Sequence, residues 1–224
     1  MTTSRDRVRS ALGPRNVARL KRWVAPLFRR NLTLLGKWYG TNKVIPSQNY
    51  TPLYTQHLGH LRRKPVKVLE IGIGGYVGGL QSGGSSLRMW RTWMPKASVV
   101  GIDLEPRDFR EPRITTVAGD QSDPVFLAQL VRDHGPFDLV IDDGSHFSHH
   151  VIASFEALFP TMPSGGIYVI EDLHCSYDPE FFGGPVGTPG TSVEMVKTLL
   201  DSPTLEGPVQ AVLMYPKLAF ILKR

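Results

Sequence analysis

The sequence is poor in cysteine, in long apolar runs and, near its N-terminus, in acids. A single cysteine, Cys175, stands among 224 residues, so an internal disulfide and a cysteine-built metal cluster are excluded. Cys175 reads as a small side chain in a loop after a strand rather than as a reactive thiol. No apolar stretch approaches the ~20 residues needed to cross a bilayer, and the N-terminus lacks the short apolar core of a secretory signal. A cytoplasmic setting is the default that follows. No internal repeat is visible, and the length suits one domain with an appendage rather than two enzymatic domains. The expected division is a basic helical arm or lid over residues 1–60 and the main domain over 61–224.

Before residue 31, Asp6 alone faces Arg5, Arg7, Arg9, Arg15, Arg19, Lys21, Arg22, Arg29 and Arg30, so the basic excess of this arm accounts for all of the +6 formal charge. Val17, Leu20, Trp23, Val24, Leu27 and Phe28 recur at helical spacing among the basic residues, with Pro26 predicted to kink or interrupt the helix. Two uses fit residues 1–35. One is peripheral contact with an anionic membrane, a polyanion or an acidic partner; the other is packing on the chain's own domain or on a second subunit. Aromatic and basic residues are not interleaved as in a nucleic-acid module, so no specific nucleic-acid partner is expected.

Beyond the arm, Gly36 to Lys43 reads as a turn, and a short helix starts near Thr51 and Pro52. Tyr50, Tyr54 and His57 share a face of it, either packing on the domain or lining a lid. From Val66 onward, buried strands alternate with helices. The strands are Val66–Gly72, Ser98–Asp103, Ile114–Asp120, Phe137–Asp143 and Gly166–Asp172, and the intervening helices open near Ser85, Pro124 and His150. Such alternation predicts a doubly wound, mostly parallel α/β sheet. The last two apolar runs, Val209–Tyr215 and Leu218–Leu222, are separated only by Pro216-Lys217. That is too short for a parallel crossover, so they are predicted to form an antiparallel hairpin.

Each parallel strand closes on chemistry. In open parallel sheets ligands sit beyond the carboxyl ends of the strands. Ile141-Asp142-Asp143-Gly144-Ser145-His146 and Ile170-Glu171-Asp172 place carboxylates and an imidazole there. A strand, a glycine turn at Gly72-Ile73-Gly74-Gly75, a helix and then a strand ending in Asp103 suit a nucleotide-like cofactor, whose ribose the acid binds. The turn lacks the spaced dinucleotide fingerprint. The antiparallel ending favours S-adenosylmethionine over a nicotinamide, and with it a seven-stranded class I methyltransferase sheet.

Leu69-Glu70-Ile71-Gly72, Gly84-Ser85-Ser86-Leu87-Arg88-Met89-Trp90, Gly101-Ile102-Asp103, Gly119-Asp120-Gln121, Ile141–His146 and Ile170-Glu171-Asp172 occur in an order that resembles the metal-dependent sugar O-methyltransferases of macrolide biosynthesis and related small glycan O-methyltransferases. The resemblance covers residues 36–180. Its N-terminal motif departs at Asn42, where an aspartate is usual, and at Gln48-Asn49, where a histidine is common.

The resemblance implies Mg2+, or Mn2+, held by Asp143, Glu171 and Asp172, whose hard oxygen donors suit such ions. It assigns the position of His146 the role of general base for the acceptor hydroxyl, and an imidazole that titrates near neutrality suits that role. Cofactor contacts are expected from Glu70, Gly72, Ser86, Asp103, Asp120 and Gln121, with turn formation the alternative for Asp120 and Gln121. Asp142 contacts either cofactor or metal. The implied acceptor is a sugar hydroxyl, on a glycosylated natural product or on a mannose- or glucose-containing polysaccharide, and the implied assembly is a homo-oligomer. A catechol-type O-methyltransferase and a non-catalytic module tethered by its basic arm are the alternatives. Phe181 to Gly190 reads either as a flap over the acceptor or as an irregular connection.

Overall fold

The structure, a computed structural model, describes residues 24–74, 83–105, 111–199, 201 and 207–224. Residues 1–23 of the basic arm, and 75–82 of the glycine-rich loop, lie outside that set. The sheet contains β1 (Lys67–Ile71), β2 (Ser98–Asp103), β3 (Ile114–Ala118), β4 (Leu139–Asp142), β5 (Ile167–Ile170), β6 (Val209–Tyr215) and β7 (Leu218–Lys223). Their order is β3-β2-β1-β4-β5-β7-β6. β1 to β5 pair in parallel, while β7 runs antiparallel between β5 and β6. This is the mostly parallel sheet with an antiparallel C-terminal hairpin expected from the sequence. The chain moves outward from β1 to β3 and then returns to β4, so the topological switch lies between β1 and β4, where such sheets bind ligands.

Both faces of the sheet are covered. One carries α1 (Leu32–Tyr39), α2 (Thr51–Leu58) and α3 (Ser85–Trp93), whose buried Leu35, Tyr54, Leu87 and Trp90 share a core with Val68, Ile141, Val169 and Phe220. The other carries α4 (Pro124–His134), α5 (Ser148–Leu158) and α6 (Ser192–Thr198), packed on Leu69, Val140, Tyr168 and Ile221. Alternation along each strand sorts residues between the two faces, and it also fixes which acids meet which helices.

The N-terminal segment bears out one sequence expectation and departs from another. The interruption expected at Pro26 is present: a 3-10 turn over Ala25–Phe28, with Pro26 in its first turn, is followed by a separate helix, α1. The restart is set by Asn31, whose side chain accepts from Leu34 N at 2.9 Å, an N-cap that satisfies a donor the helix leaves free. The predicted turn from Gly36 is instead helical through Tyr39, and Gly40 ends the helix in the left-handed conformation (φ 80°). Gly36 is needed for packing, because a Cβ there would lie 2.4 Å from Val44 Cγ1. Ala25, Leu32 and Leu35 are buried in the core, so residues 25–39 pack on their own domain.

Candidate functional site

β1, β4 and β5 end side by side, and their register puts three acids on the α1–α3 face. Ile71 pairs with Asp142 and Asp142 with Ile170, so the next residues in line are Gly72, Asp143 and Glu171. Glu70 lies one step deeper, opposite Ile141. A Cβ on Gly72 would lie 2.1 Å from Asp143 O, and its φ is 87°. Only glycine lets the β1 turn pass this close to β4. On the other side of that turn, Asp103 accepts from Ile73 N at 3.0 Å, so the acid ending β2 is fixed beside the glycine turn.

The acids enclose a lysine. Lys43, carried on a 3-10 turn over Asn42–Val44, is fully buried. Its Nζ donates to Asp143 Oδ2 and Glu171 Oε1, each at 2.6 Å, and lies 3.2 Å from Glu70 Oε1. Burial pushes the ammonium toward neutrality, but Asp143, Glu171 and Glu70 outweigh it, so its pKa stands well above the ordinary lysine value. Burial, then the neighbouring Asp143 charge, pushes Glu171 up to about 8. Burial likewise raises Glu70, against the pull of Lys43. One buried cation among three carboxylates leaves excess negative charge, so the pocket favours either a retained proton or a second cation.

Two tyrosines complete this inner layer. The Tyr54 hydroxyl donates to Glu171 Oε1, and the Tyr50 hydroxyl donates to Asp172 Oδ1. Burial, then the carboxylates, raises both phenols above the usual range, so they act as neutral donors. Gln48 Nε2 donates to Asp172 as well, at 2.9 Å to Oδ2 and 3.2 Å to Oδ1.

Toward solvent stands His146. Its Nε2 is 3.7 Å from Asp172 Oδ2 and 4.0 Å from Asp143 Oδ1. Asp143, His146 and Asp172 each offer a ligand atom within 4.8 Å of the others. Both His146 (φ 62°) and Asp172 (φ 51°) adopt the left-handed backbone conformation, a strained state for non-glycine residues that recurs at functional sites. Glu171 stands outside the three-residue set, drawn toward Lys43 and Tyr54, while its buried Oε2 has no hydrogen-bond partner among the described residues. Lys43, Tyr50 and Gln48 therefore hold Asp143 and Asp172 from behind, with Asp143 Oδ1 and Asp172 Oδ2 toward the imidazole. Such an oxygen set fits a hard divalent cation.

The remaining sequence candidates fall around this centre. Ser86, in the first turn of α3, is buried against Glu70. Asp142 points to the opposite face and takes Ser154 Oγ at 2.8 Å, Tyr168 Oη at 3.0 Å and Gln121 Nε2 at 3.2 Å. Gln121 Oε1 in turn accepts from Ser145 N at 2.8 Å, and a Cβ on Gly144 would lie 2.0 Å from that oxygen. In this structure Asp142 and Gln121 clamp the turn that aims Asp143 and His146. Asp120 accepts from Ser122 N and Oγ, both at 2.8 Å, in a local turn.

Lys43 carries no site signal in the sequence, and Gln48 enters it only as a departure from the resembled family's N-terminal motif. The helical spacing of Tyr50 and Tyr54 is a further signal, and it favours packing over the lining of a lid.

Cys175 is buried below the Asp172 turn, and burial, then the Asp172 and Asp178 charges, pushes its thiol up to about 11. At pH 8 the thiolate fraction is then about a hundredfold below that of an exposed thiol. Iodoacetamide labelling of the native protein is expected to be slower by at least that factor than labelling of the unfolded chain. Comparable rates, followed by mass spectrometry, would contradict this placement.

No family model matches the chain. Among curated proteins it is 49% identical over 156 residues to the demethylmacrocin O-methyltransferase of Streptomyces fradiae, covering 68% of this chain and 39% of that one. It is 43% identical over 190 residues to the 8-demethyl-8-alpha-L-rhamnosyl tetracenomycin-C 2'-O-methyltransferase of Streptomyces olivaceus, covering 78% and 50%. Among solved structures it is similar to the MycE methyltransferase of the mycinamycin biosynthetic pathway, in complex with Mg, SAH and mycinamycin VI. There the TM-score is 0.81 at 40% identity, over 86% of this chain and 53% of that one. The chain thus spans about half, or less, of the length of the curated relatives it matches.

Proposed function

Because this chain is homologous over most of its length to bacterial sugar O-methyltransferases of glycosylated natural products and shares their class I methyltransferase fold, we propose that it transfers a methyl group from S-adenosylmethionine to a sugar hydroxyl, with Mg2+ as metal. The observation that carries this reading is the convergence of Asp143, Asp172 and His146 at the carboxyl ends of β4 and β5, beside the glycine turn that ends β1.

The chemical difficulty is the acceptor, since an alcohol is a poor nucleophile until its proton is removed. Bound S-adenosylmethionine supplies an electrophilic methyl group, and Mg2+ supplies Lewis acidity that lowers the pKa of a ligated hydroxyl. Asp143 and Asp172, with Glu171 through its unpartnered Oε2, are the residues that would hold the ion. Mg2+ prefers oxygen donors, which leaves the His146 imidazole free for the proton. His146 Nε2 accepts the hydroxyl proton, and the Asp172 and Asp143 oxygens at 3.7 and 4.0 Å stabilise the imidazolium that results. Lys43, Tyr50 and Gln48 keep those oxygens in place. The turn at Gly72 and the Asp103 carboxylate offer the cofactor a close backbone approach and a ribose acceptor. Glu70 and Ser86 support the β1 turn from within, while Gln121 acts on the site through the Asp142 and Ser145 contacts that hold the β4 turn.

A glycosylated natural product is the acceptor class favoured by the relatives, ahead of a polysaccharide. A homo-oligomer in the cytoplasm, with the basic sequence of residues 1–35 in contact with an anionic membrane, a polyanion or an acidic partner, extends the same reading.

Calorimetric titration with S-adenosylmethionine, followed by turnover in Mg2+ and in chelator, tests it. Micromolar binding with chelator-sensitive methyl transfer is expected, and Asp143→Asn should remove the Mg2+ stimulation while cofactor affinity stays within about twofold. Full activity in chelator would sink the metal assignment. Absence of S-adenosylmethionine binding would sink the methyltransferase reading.

A further inference from the structure

Next to His146 the surface is aromatic. The Phe181 ring lies 6.2 Å from the His146 ring and 6.1 Å from Phe147, which meets Phe182 edge-on at 5.1 Å and 88°. His149 closes the group, edge-on to Phe182 at 5.2 Å. These rings are not core residues: Phe182 is 65% exposed, and Phe147 and Phe181 are half-buried. Phe182 also adopts the left-handed conformation (φ 56°), which is unfavourable for a bulky side chain.

The turn that carries the shelf is tied down. Asp178 accepts from Glu180 N at 2.9 Å and, through its backbone oxygen, from Gly183 N at 2.9 Å. A Cβ on Gly183 would lie 2.5 Å from the Ser176 carbonyl, so close packing sets the path of the chain there. An exposed aromatic group held by a pinned turn, in a strained conformation, and continuous with a base is what an apolar ligand face requires.

Resting on the proposed sugar methyl transfer, we propose that Phe147, Phe181 and Phe182 form the platform for the apolar aglycone of a glycosylated acceptor, placing its sugar over His146. Ring faces and edges supply the contact, and because Phe182 meets Phe147 and His149 edge-on the group is an uneven apolar surface suited to a broad aglycone rather than one open face for a single sugar ring. Phe182 is the specificity-determining residue, because it is the most exposed of the three.

Equilibrium binding tests this independently of turnover. Titrations in S-adenosylhomocysteine and Mg2+ compare 8-demethyl-8-alpha-L-rhamnosyl tetracenomycin C and mycinamycin VI with methyl alpha-L-rhamnoside. At least one aglycone-bearing ligand is expected to bind tenfold or more tightly than the simple glycoside. Phe182→Ala should weaken that ligand at least fivefold, with methyl rhamnoside and S-adenosylhomocysteine affinities unchanged and thermal stability retained. Phe181→Leu provides a second variant with the same expected selectivity. Equal affinity for all three ligands, equal losses in the variant, or no binding of either aglycone-bearing ligand would overturn the proposal. So would a Phe182→Ala protein whose only change, by light scattering, is a smaller oligomer, because the shelf would then be an interface between copies. Tight, Phe182-dependent binding without methyl transfer would uphold the shelf and overturn the sugar methyl transfer reading instead.

Discussion

Lys43→Met is expected to destabilise the protein by about 3–5 kcal/mol, the range seen when one partner of a buried ion pair is removed. The reason is the company Lys43 keeps: two carboxylate oxygens at 2.6 Å and a third at 3.2 Å, with its own side chain fully buried. Methionine fills similar volume, so little of the loss is attributable to packing, and most of it comes from uncompensated carboxylates. The pH dependence follows from Glu171. Its folded-state pKa, about 8, lies above its ordinary value, so ionising it costs the folded state more than the unfolded one. Stability from this group is fully present below the ordinary carboxylate range and is lost as pH rises through about 8. Without Lys43 that loss deepens. The gap between variant and wild type should be widest above pH 8 and should narrow as pH falls. Denaturant titrations at several pH values measure it. Should Lys43→Met not fold above pH 8, Lys43→Met/Glu171→Gln removes one of the stranded charges there and should recover part of the stability. Mg2+ should stabilise the single variant by binding the native state. Wild-type stability in Lys43→Met at pH 8 would refute the counter-charge role.

What the sequence revealed and what it concealed divide along the range of the interactions. The strands were legible because Val66–Ile71, Val99–Ile102 and Leu139–Ile141 are local β-branched or apolar runs bounded by turns, and the acids at their ends are adjacent in sequence to the strands that position them. The hairpin was legible because two residues cannot bridge a parallel crossover. Lys43 was not legible. It sits in the polar stretch Thr41-Asn42-Lys43, whose local pattern is that of an exposed turn, and its partners are 100 and 128 residues away. Tyr50 and Tyr54 showed their common face, but nothing local says that their hydroxyls end on Asp172 and Glu171. Asp142 is an intermediate case. Strand alternation alone sends it and Asp143 to opposite faces. Only the structure supplies Ser154, Tyr168 and Gln121 as the partners waiting on its side.

His146→Asn is expected to lower kcat by about 10²–10⁴, the usual contribution of a general base, while affinity for S-adenosylmethionine changes by less than about twofold. Asparagine is the informative replacement because His146 has φ 62°, a conformation that Asn tolerates better than most residues. The variant should therefore keep or slightly raise the melting temperature, which separates a chemical loss from a folding one. His146 also stands within ligand distance of Asp143 and Asp172, so a base and a metal ligand must be told apart. A base predicts unchanged Mg2+ affinity with a collapsed kcat. A ligand predicts weakened Mg2+ affinity and recovery of turnover at high Mg2+. The catechol-type alternative predicts a third pattern: its phenolic acceptor is already acidic, so loss of the imidazole leaves turnover nearly intact. Measuring kcat against Mg2+ concentration in wild type and variant distinguishes the three, and the sugar hydroxyl, the least acidic of the candidate acceptors, is the one for which the imidazole matters most.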